Sequence, residues 1–164
     1  MILRDPALQL DRRVQRLWAA EALVAAAVLG ALVVGGTVLA ALTWSTGGAI
    51  LVGALGGAAV LALALGGVMV APRLAYARYR YEVTELGLYV AHGRFWRRWQ
   101  VVPHARVQTV DVESGPLLRA FGLVEVRVTT ASAEGGTGIP GLAPDIADRL
   151  VHELARRADV EEGT

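Results

Sequence analysis

Residues 17–71 carry a single formal charge, Glu21, and form two long apolar runs either side of Trp44-Ser45-Thr46-Gly47-Gly48. A bilayer core about 30 Å thick is crossed by roughly 20 apolar residues at 1.5 Å each. Residues 17–43 and 49–71 both clear that length. A soluble helix this long shows polar residues on at least one face, whereas here Leu, Val, Ala and Gly continue all the way round. A cleaved signal sequence is the rival reading, because Arg12, Arg13 and Arg16 precede the first run. Signal cores are shorter, typically 7–15 residues, and a second apolar segment comes at once. The pattern predicts a transmembrane helical hairpin: residues 1–16 as a cytoplasmic segment, helices at 17–43 and 49–71, and a short extracytoplasmic turn at 44–48.

Orientation is set by the cations. Arg4, Arg12, Arg13 and Arg16 precede the first helix, Arg73, Arg78 and Arg80 come after the second, and the turn has no charge. Basic residues flanking a span stay on the cytoplasmic side, so both termini are expected to be cytoplasmic in a multi-pass protein of the cell membrane. Trp18, Trp44, Tyr76 and Tyr79 stand where interfacial aromatics belong. Within the spans, Ala49, Gly53 and Gly57 recur every four residues, as do Ala27, Ala31 and Gly35. Small residues let helices approach closely in lipid; the stripes either pack the hairpin on itself or receive a partner. Glu21, one turn inside the first helix, is shallow enough to reach the interface or pair with an Arg, and otherwise marks an intramembrane site.

The remainder of the 164 residues is one small domain, 72–164, with twelve Arg against twelve Asp plus Glu from residue 73 onward. That balance leaves no nucleic-acid footprint. There is no Cys, which excludes disulfides and thiolate metal sites. All sixteen basic residues are Arg, a composition in keeping with a GC-rich bacterial source.

After Arg80 the apolar pattern switches to alternation, the period of half-buried strands. Strands are expected at 81–83, 88–90, 95–102, 107–112 and 123–130, with Gly-bearing turns at Glu85-Leu86-Gly87 and His92-Gly93. In the last strand Val124, Val126 and Val128 share one face and Glu125, Arg127 and Thr129 the other. Residues 134–141 read as a glycine-rich loop with a short extended piece at Ile139-Pro140. Pro144 and Asp145 suit a first helical turn. Ile146, Leu150, Val151, Leu154 and Ala158 are expected on that helix's apolar face. The fold class is α+β: a two-helix transmembrane hairpin, then a small antiparallel barrel or sandwich closed by an amphipathic C-terminal helix.

The soluble part resembles the bacterial pleckstrin-homology (PH) domain of the YdbS-like family of membrane proteins. The residues that carry the likeness are Tyr81-Glu82-Val83-Thr84, Gly87-Leu88-Tyr89-Val90, Gly93-Arg94, Val102-Pro103 and Val107-Gln108-Thr109-Val110. Gly115-Pro116-Leu117-Leu118-Arg119, Gly122-Leu123 and residues 126–131 continue it, and Leu10-Asp11, Trp18 and Glu21 extend it to the N-terminus. Ser132 stands where the family often has Gly. The resemblance implies a PH-like barrel of about seven strands with a capping helix, and no catalytic activity.

Arg94, Arg97 and Arg98, with Arg78, Arg80 and Arg119, are candidates for a cationic surface toward anionic lipid, where each juxtamembrane cation contributes about 1 kcal/mol. The bland alternative is solvated strand faces with ion pairs to Glu113 or Glu125. Leu117 and Leu118, in a segment read as a loop, either anchor in lipid or a partner or plug one end of the barrel, with Arg119 bonding the loop. His92, His104 and His152 join no carboxylate pair or metal shell, Ser114 lacks a nucleophile elbow, and Gly135-Gly136-Thr137-Gly138 lacks the Lys of a phosphate loop. No enzyme, cofactor or metal is expected. The favoured function is a membrane-anchored module for protein interaction or self-assembly; the alternatives are anionic-headgroup binding, or an accessory subunit of a transport or envelope-stress system.

Overall fold

The computed structural model describes residues 4–43, 46–93, 96–130 and 136–162. Two compact units divide the chain: residues 18–73, and a head built from residues 1–17 together with 74–164. The head is therefore discontinuous in sequence, which the periodicity of its strands does not announce.

Helix α1 spans Arg13–Thr43, its first five residues belonging to the head and the rest to the first unit, and helix α2 spans Thr46–Leu65 within the first unit. Two helical stretches, Arg13–Thr43 and Gly47–Arg78, are long and apolar enough to cross a membrane. Thr46, Gly47 and Gly48, expected in the turn, belong to α2, while Trp44 and Ser45 lie outside the described residues. The second span does not stop at Ala71. A π-turn over Gly66–Val70 leads into α3, Ala71–Arg78, and the Ala71 N–H reaches back five residues to the Gly66 carbonyl. Pro72 has no N–H to continue an α-helical ladder; the widened turn just before it is where such interruptions are absorbed.

In the head, β1 (Arg80–Val83), β2 (Gly87–His92) and β3 (Arg98–Pro103) form one antiparallel sheet in that order. A 3-10 turn, His104–Arg106, leads to β4 (Val107–Glu113), which pairs with β5 (Val124–Thr130), and β5 with β6 (Thr137–Leu142). Gly87 closes the first hairpin at φ +151, where a Cβ would lie 2.1 Å from the Val102 carbonyl oxygen; only glycine fits. Helix α5, Pro144–Glu162, packs against β4 and β5. The core joins Leu88, Val90 and Val102 to Val126, Val128 and Ile139, closed by Leu150 and Leu154.

Three local expectations are corrected. The stretch read as a glycine loop holds a full strand, β6, because Thr137, Ile139 and Leu142 are buried against β5; the alternation is disguised by Gly138, Pro140 and Gly141, and residues 134–135 lie outside the described part. Gly115–Arg119 is not a loop: Pro116–Ala120 form a short helix, α4, started by Pro116 at its first position. On α5 the buried positions are Ala147, Leu150 and Leu154, with Val151 and Ala158 half-buried and Ile146 exposed. The described strands number six rather than about seven.

Candidate functional site

The head begins with a segment expected to stand apart from it. Leu10, Val14 and Leu17 recur at helical spacing and are buried at 3%, 0% and 2% exposure. At about 1.5–3 kcal/mol per fully buried side chain, these three alone amount to a large share of a small domain's net stability. Leu8 exchanges both backbone hydrogen bonds with Tyr81 at 2.9 and 3.0 Å, so the segment adds a bridge to the free edge of β1. The Asp11 N–H donates to the Gly141 carbonyl at 3.2 Å. Gly141 has φ +70, and a Cβ there would meet Val14 Cγ2 at 2.3 Å; the close approach requires glycine. Burial raises the Asp11 carboxyl, but the Arg13 N–H and guanidinium outweigh it and hold the carboxyl below its usual range.

Farther toward the N-terminus, Arg4 reaches Glu82 at 2.7 Å, and the Tyr89 hydroxyl donates to the Arg4 carbonyl at 2.8 Å. Asp5 holds Arg97 at 2.6 Å, and the Arg97 guanidinium lies 5.4 Å from the centroid of Trp99. This cation-π contact fits the expectation that Arg97 and Trp99 share a side. The expected pairing to Glu113 or Glu125 is not what holds Arg97: Arg127 takes those two carboxylates, at 2.8 and 3.5 Å. Arg94 lies outside the described residues. Arg98 is exposed and, opposite His92, opens β3.

At the same end of that sheet, Tyr79 stacks on His92 with centroids 5.9 Å apart, and its hydroxyl donates to the Gly138 carbonyl on β6. Desolvation, then the Glu125 charge, push the Tyr79 hydroxyl far above its usual range, so it stays a proton donor. Burial, then Arg98, lower the His92 ring. At the opposite end, the Thr84 carbonyl accepts from His104 Nε2 and from Arg157 Nη1, both at 2.9 Å, pinning the β1–β2 turn to α5. Side-chain hydrogen bonds from Arg156 and Arg157 lower Glu153.

Between the N-terminal segment, β1 and α5 lies an open cleft of ≈ 300 Å³ edged by Leu8, Val83, Ile146 and Arg149. Leu117 is 39% exposed, Leu118 half-buried and Arg119 exposed. Leu118 closes its own turn, its carbonyl accepting the Leu123 N–H at 2.8 Å. These three stand in the β4–β5 connection, on the other sheet from Arg97 and Arg98. In the hairpin, a Cβ on Gly53 would sit 3.0 Å from Thr37 and one on Gly56 2.9 Å from Val33, whereas one on Gly57 would touch nothing within 4 Å. Ala49 is buried. The close approach thus falls on Gly53 and Gly56, with Gly57 on the rim of an open groove of ≈ 520 Å³. Among the described residues no three His, Asp or Glu side chains could share a metal ion.

A family model described as "Bacterial PH domain" matches residues 14–158. A Bacillus subtilis (strain 168) protein named "UPF0699 transmembrane protein YdbS" is 36% identical over 95 residues, a match that covers 58% of this chain and 58% of that protein. The match thus spans less than two thirds of the relative's length. No solved structure matches the chain.

Proposed function

The chain belongs to the bacterial PH domain family, and from that premise we propose a membrane-anchored, non-enzymatic module whose head binds another protein, or further copies of itself, at the cytoplasmic face of the cell membrane. The observation that carries this reading is the make-up of the head. It takes core residues from both flanks of the hairpin, Leu10, Val14 and Leu17 from one and Tyr79 and Tyr81 from the other. Chain connections at Leu17 and Leu74 leave no long linker on either side. Such a head is suited to presenting its own folded surface at the membrane. The arginines before and after the spans, with none between them, support cytoplasmic termini.

The surface best suited to a protein partner is β4. Among the described residues it pairs with β5 alone, and Gln108, Thr109, Asp111, Val112 and Glu113 are all exposed. An edge strand offers unpaired N–H and C=O groups to an incoming extended segment, and Val112 adds an apolar contact. The chain has no Cys, so Val112→Cys and Asp111→Cys each provide a single attachment point for a maleimide photocrosslinker in native membranes. The expected outcome is a discrete adduct, with the chain itself or with one partner, that a charged substitution at Val110 removes. Monomer alone at both positions would overturn the reading.

A further inference from the structure

The free edge of β1 is only partly used. Leu8 and Tyr81 exchange both backbone hydrogen bonds, at 2.9 and 3.0 Å, as an isolated antiparallel bridge. Along a strand, every second residue turns its N–H and C=O to the same edge. Tyr81 turns its pair toward Leu8, so Val83, two residues on, turns its own pair to that side, and among the described residues no bond reaches them there. The antiparallel register sets Pro6 opposite Val83. Proline has no N–H to give the Val83 carbonyl, so the pairing stops after one bridge.

Beside that edge lies the open cleft of ≈ 300 Å³, walled on one side by β1 and on the other by α5. Its apolar lining is incompletely covered, with Leu8 49% and Ile146 36% exposed. Opposed residues on antiparallel strands share a face. Leu8, opposite Tyr81, lines the cleft, and a side chain opposite Val83 would enter it, because Val83 lines it too. The residue between those two would lie with Glu82 on the other face. There Arg4 meets Glu82 at 2.7 Å, and the Ala7 N–H donates to the same carboxylate at 3.1 Å. Asp5 adds its bond to Arg97. The Arg4 and Asp5 side chains are 62% and 52% exposed, and ion pairs this open hold weakly. Leu10, Val14 and Leu17 are anchored separately in the core, so residues 4–8 can lift without unfolding the head.

We propose that the β1 edge and α5 form a groove for an extended segment of a partner protein, and that residues 4–8 are an autoinhibitory strap half filling it. The partner segment displaces the strap, runs antiparallel to β1 and exchanges main-chain hydrogen bonds with both Tyr81 and Val83. Its pattern is aliphatic–basic–aliphatic. One aliphatic side chain replaces Leu8, the other enters the cleft against Val83 and Ile146, and the cation between them takes over Glu82 as Arg4 leaves. A carboxylate stripped of Arg4 and of the Ala7 N–H is what selects the basic residue. Proline is excluded opposite Val83, where an N–H is needed. The groove belongs to the first sheet, and it stands whether or not β4, on the other sheet, has a partner.

The test uses the full chain in phosphatidylcholine nanodiscs and two fluorescent peptides copying residues 4–10, one native and one carrying Pro6→Val and Ala7→Arg. By anisotropy the altered peptide should bind about tenfold more tightly, the weight of one main-chain bond and one charge-assisted contact. Arg4→Ala with Asp5→Ala in the chain loosens the strap and should tighten that binding a further fivefold or so, about the weight of two exposed ion pairs. Ile146→Asp, at an exposed position of α5, should abolish binding with the circular dichroism unchanged. Within the chain itself, Pro6→Val should slow hydrogen exchange of the Val83 amide. Equal affinity of the two peptides, or binding that survives Ile146→Asp, would overturn the groove and leave the β4 reading untouched. A loosened chain that binds no better would overturn the autoinhibition. A Val83 amide already protected in the unaltered chain would overturn the open edge.

Discussion

The same residue types have opposite fates in the two units. In the hairpin Leu42 and Leu55 are 79% and 72% exposed; in the head Leu88 and Leu154 are 0% exposed. Apolar side chains turned outward along two whole helices are tolerable only where the surroundings are themselves apolar, as in lipid. The head obeys the opposite rule, burying its apolar faces between two sheets and a helix and keeping its charges at the surface, several of them in ion pairs. The chain is a membrane protein with a bacterial PH domain, and the contrast follows the division of the chain into two compact units, with the breaks after Leu17 and before Leu74.

The sharpest way to break that comparison is to remove the segment that crosses it. Expressed without residues 1–17 and without the hairpin, the head loses Leu10, Val14 and Leu17, on the order of 5–8 kcal/mol of burial against a typical total of about 5–15. Residues 74–164 alone should show no cooperative melting by circular dichroism. Residues 1–17 joined to 74–164 by a flexible Gly/Ser linker should melt cooperatively in water. Gly141→Val, which deletes nothing, should imitate the truncation by displacing Val14 and by forcing a β-branched residue to positive φ, a cost of about 1–2 kcal/mol before any clash. A stable 74–164 fragment would show that the N-terminal segment is decoration.

A smaller effect tests the other side of the comparison. Gly56→Ile pushes against Val33 and should splay the hairpin, read as lost disulfide formation between cysteines placed on facing positions of α1 and α2. Gly57→Ile meets open space and should leave that crosslink intact. Both should leave the melting of the head unchanged, since the two units have separate cores. If Gly57→Ile were the disruptive one, the stripe of every-fourth small residues would be a docking face for something outside the hairpin.

The smallest effect is a pH dependence confined to the head. Folding lowers the His92 ring below its ordinary value near 6.5, through burial and then Arg98. The unfolded chain therefore binds the proton more readily, and stability is lost as pH falls through 6.5 toward the folded value. His92→Gln should flatten that part of the stability curve, measured by urea unfolding of the linked head between pH 7 and 5. An unchanged slope would mean that the Tyr79–His92 stack does not restrict protonation.

Much of this architecture is legible residue by residue. The single charge in residues 17–71, the arginine flanks, and the alternation in the middle of β5, with Val126 and Val128 buried and Arg127 exposed, are local patterns that local physics reads directly. The α5 face was legible to within one residue, Ile146 proving exposed and Ala147 buried. What escaped the sequence was of two kinds. Elements with weak local signals, β6 with its Gly138, Pro140 and Gly141 and α4 with its single turn, depend on neighbours for their definition. Side chains that serve distant partners, such as Asp5 for Arg97, Thr84 for His104 and Arg157, and Val14 for Gly141, have no local signature at all. The N-terminal segment did have a signal, since Leu10, Val14 and Leu17 stand at helical spacing among Asp11, Arg12, Arg13, Gln15 and Arg16. Periodicity says only that such a face is covered, not by what.

Hydropathy over fifty-odd residues is a property of composition, so the amino-acid order alone determined that this chain has lipid-compatible spans, at which of their ends the arginines gather, and that the residues beyond them alternate as a sheet does. Which pieces make up the head, where the edge of β1 stays open, and which arginine is spoken for are matters of long-range contact. They were decided only when residues 4–17 met residues 79–141 across the sequence of both spans, because burial and ion pairing depend on what arrives from elsewhere in the chain.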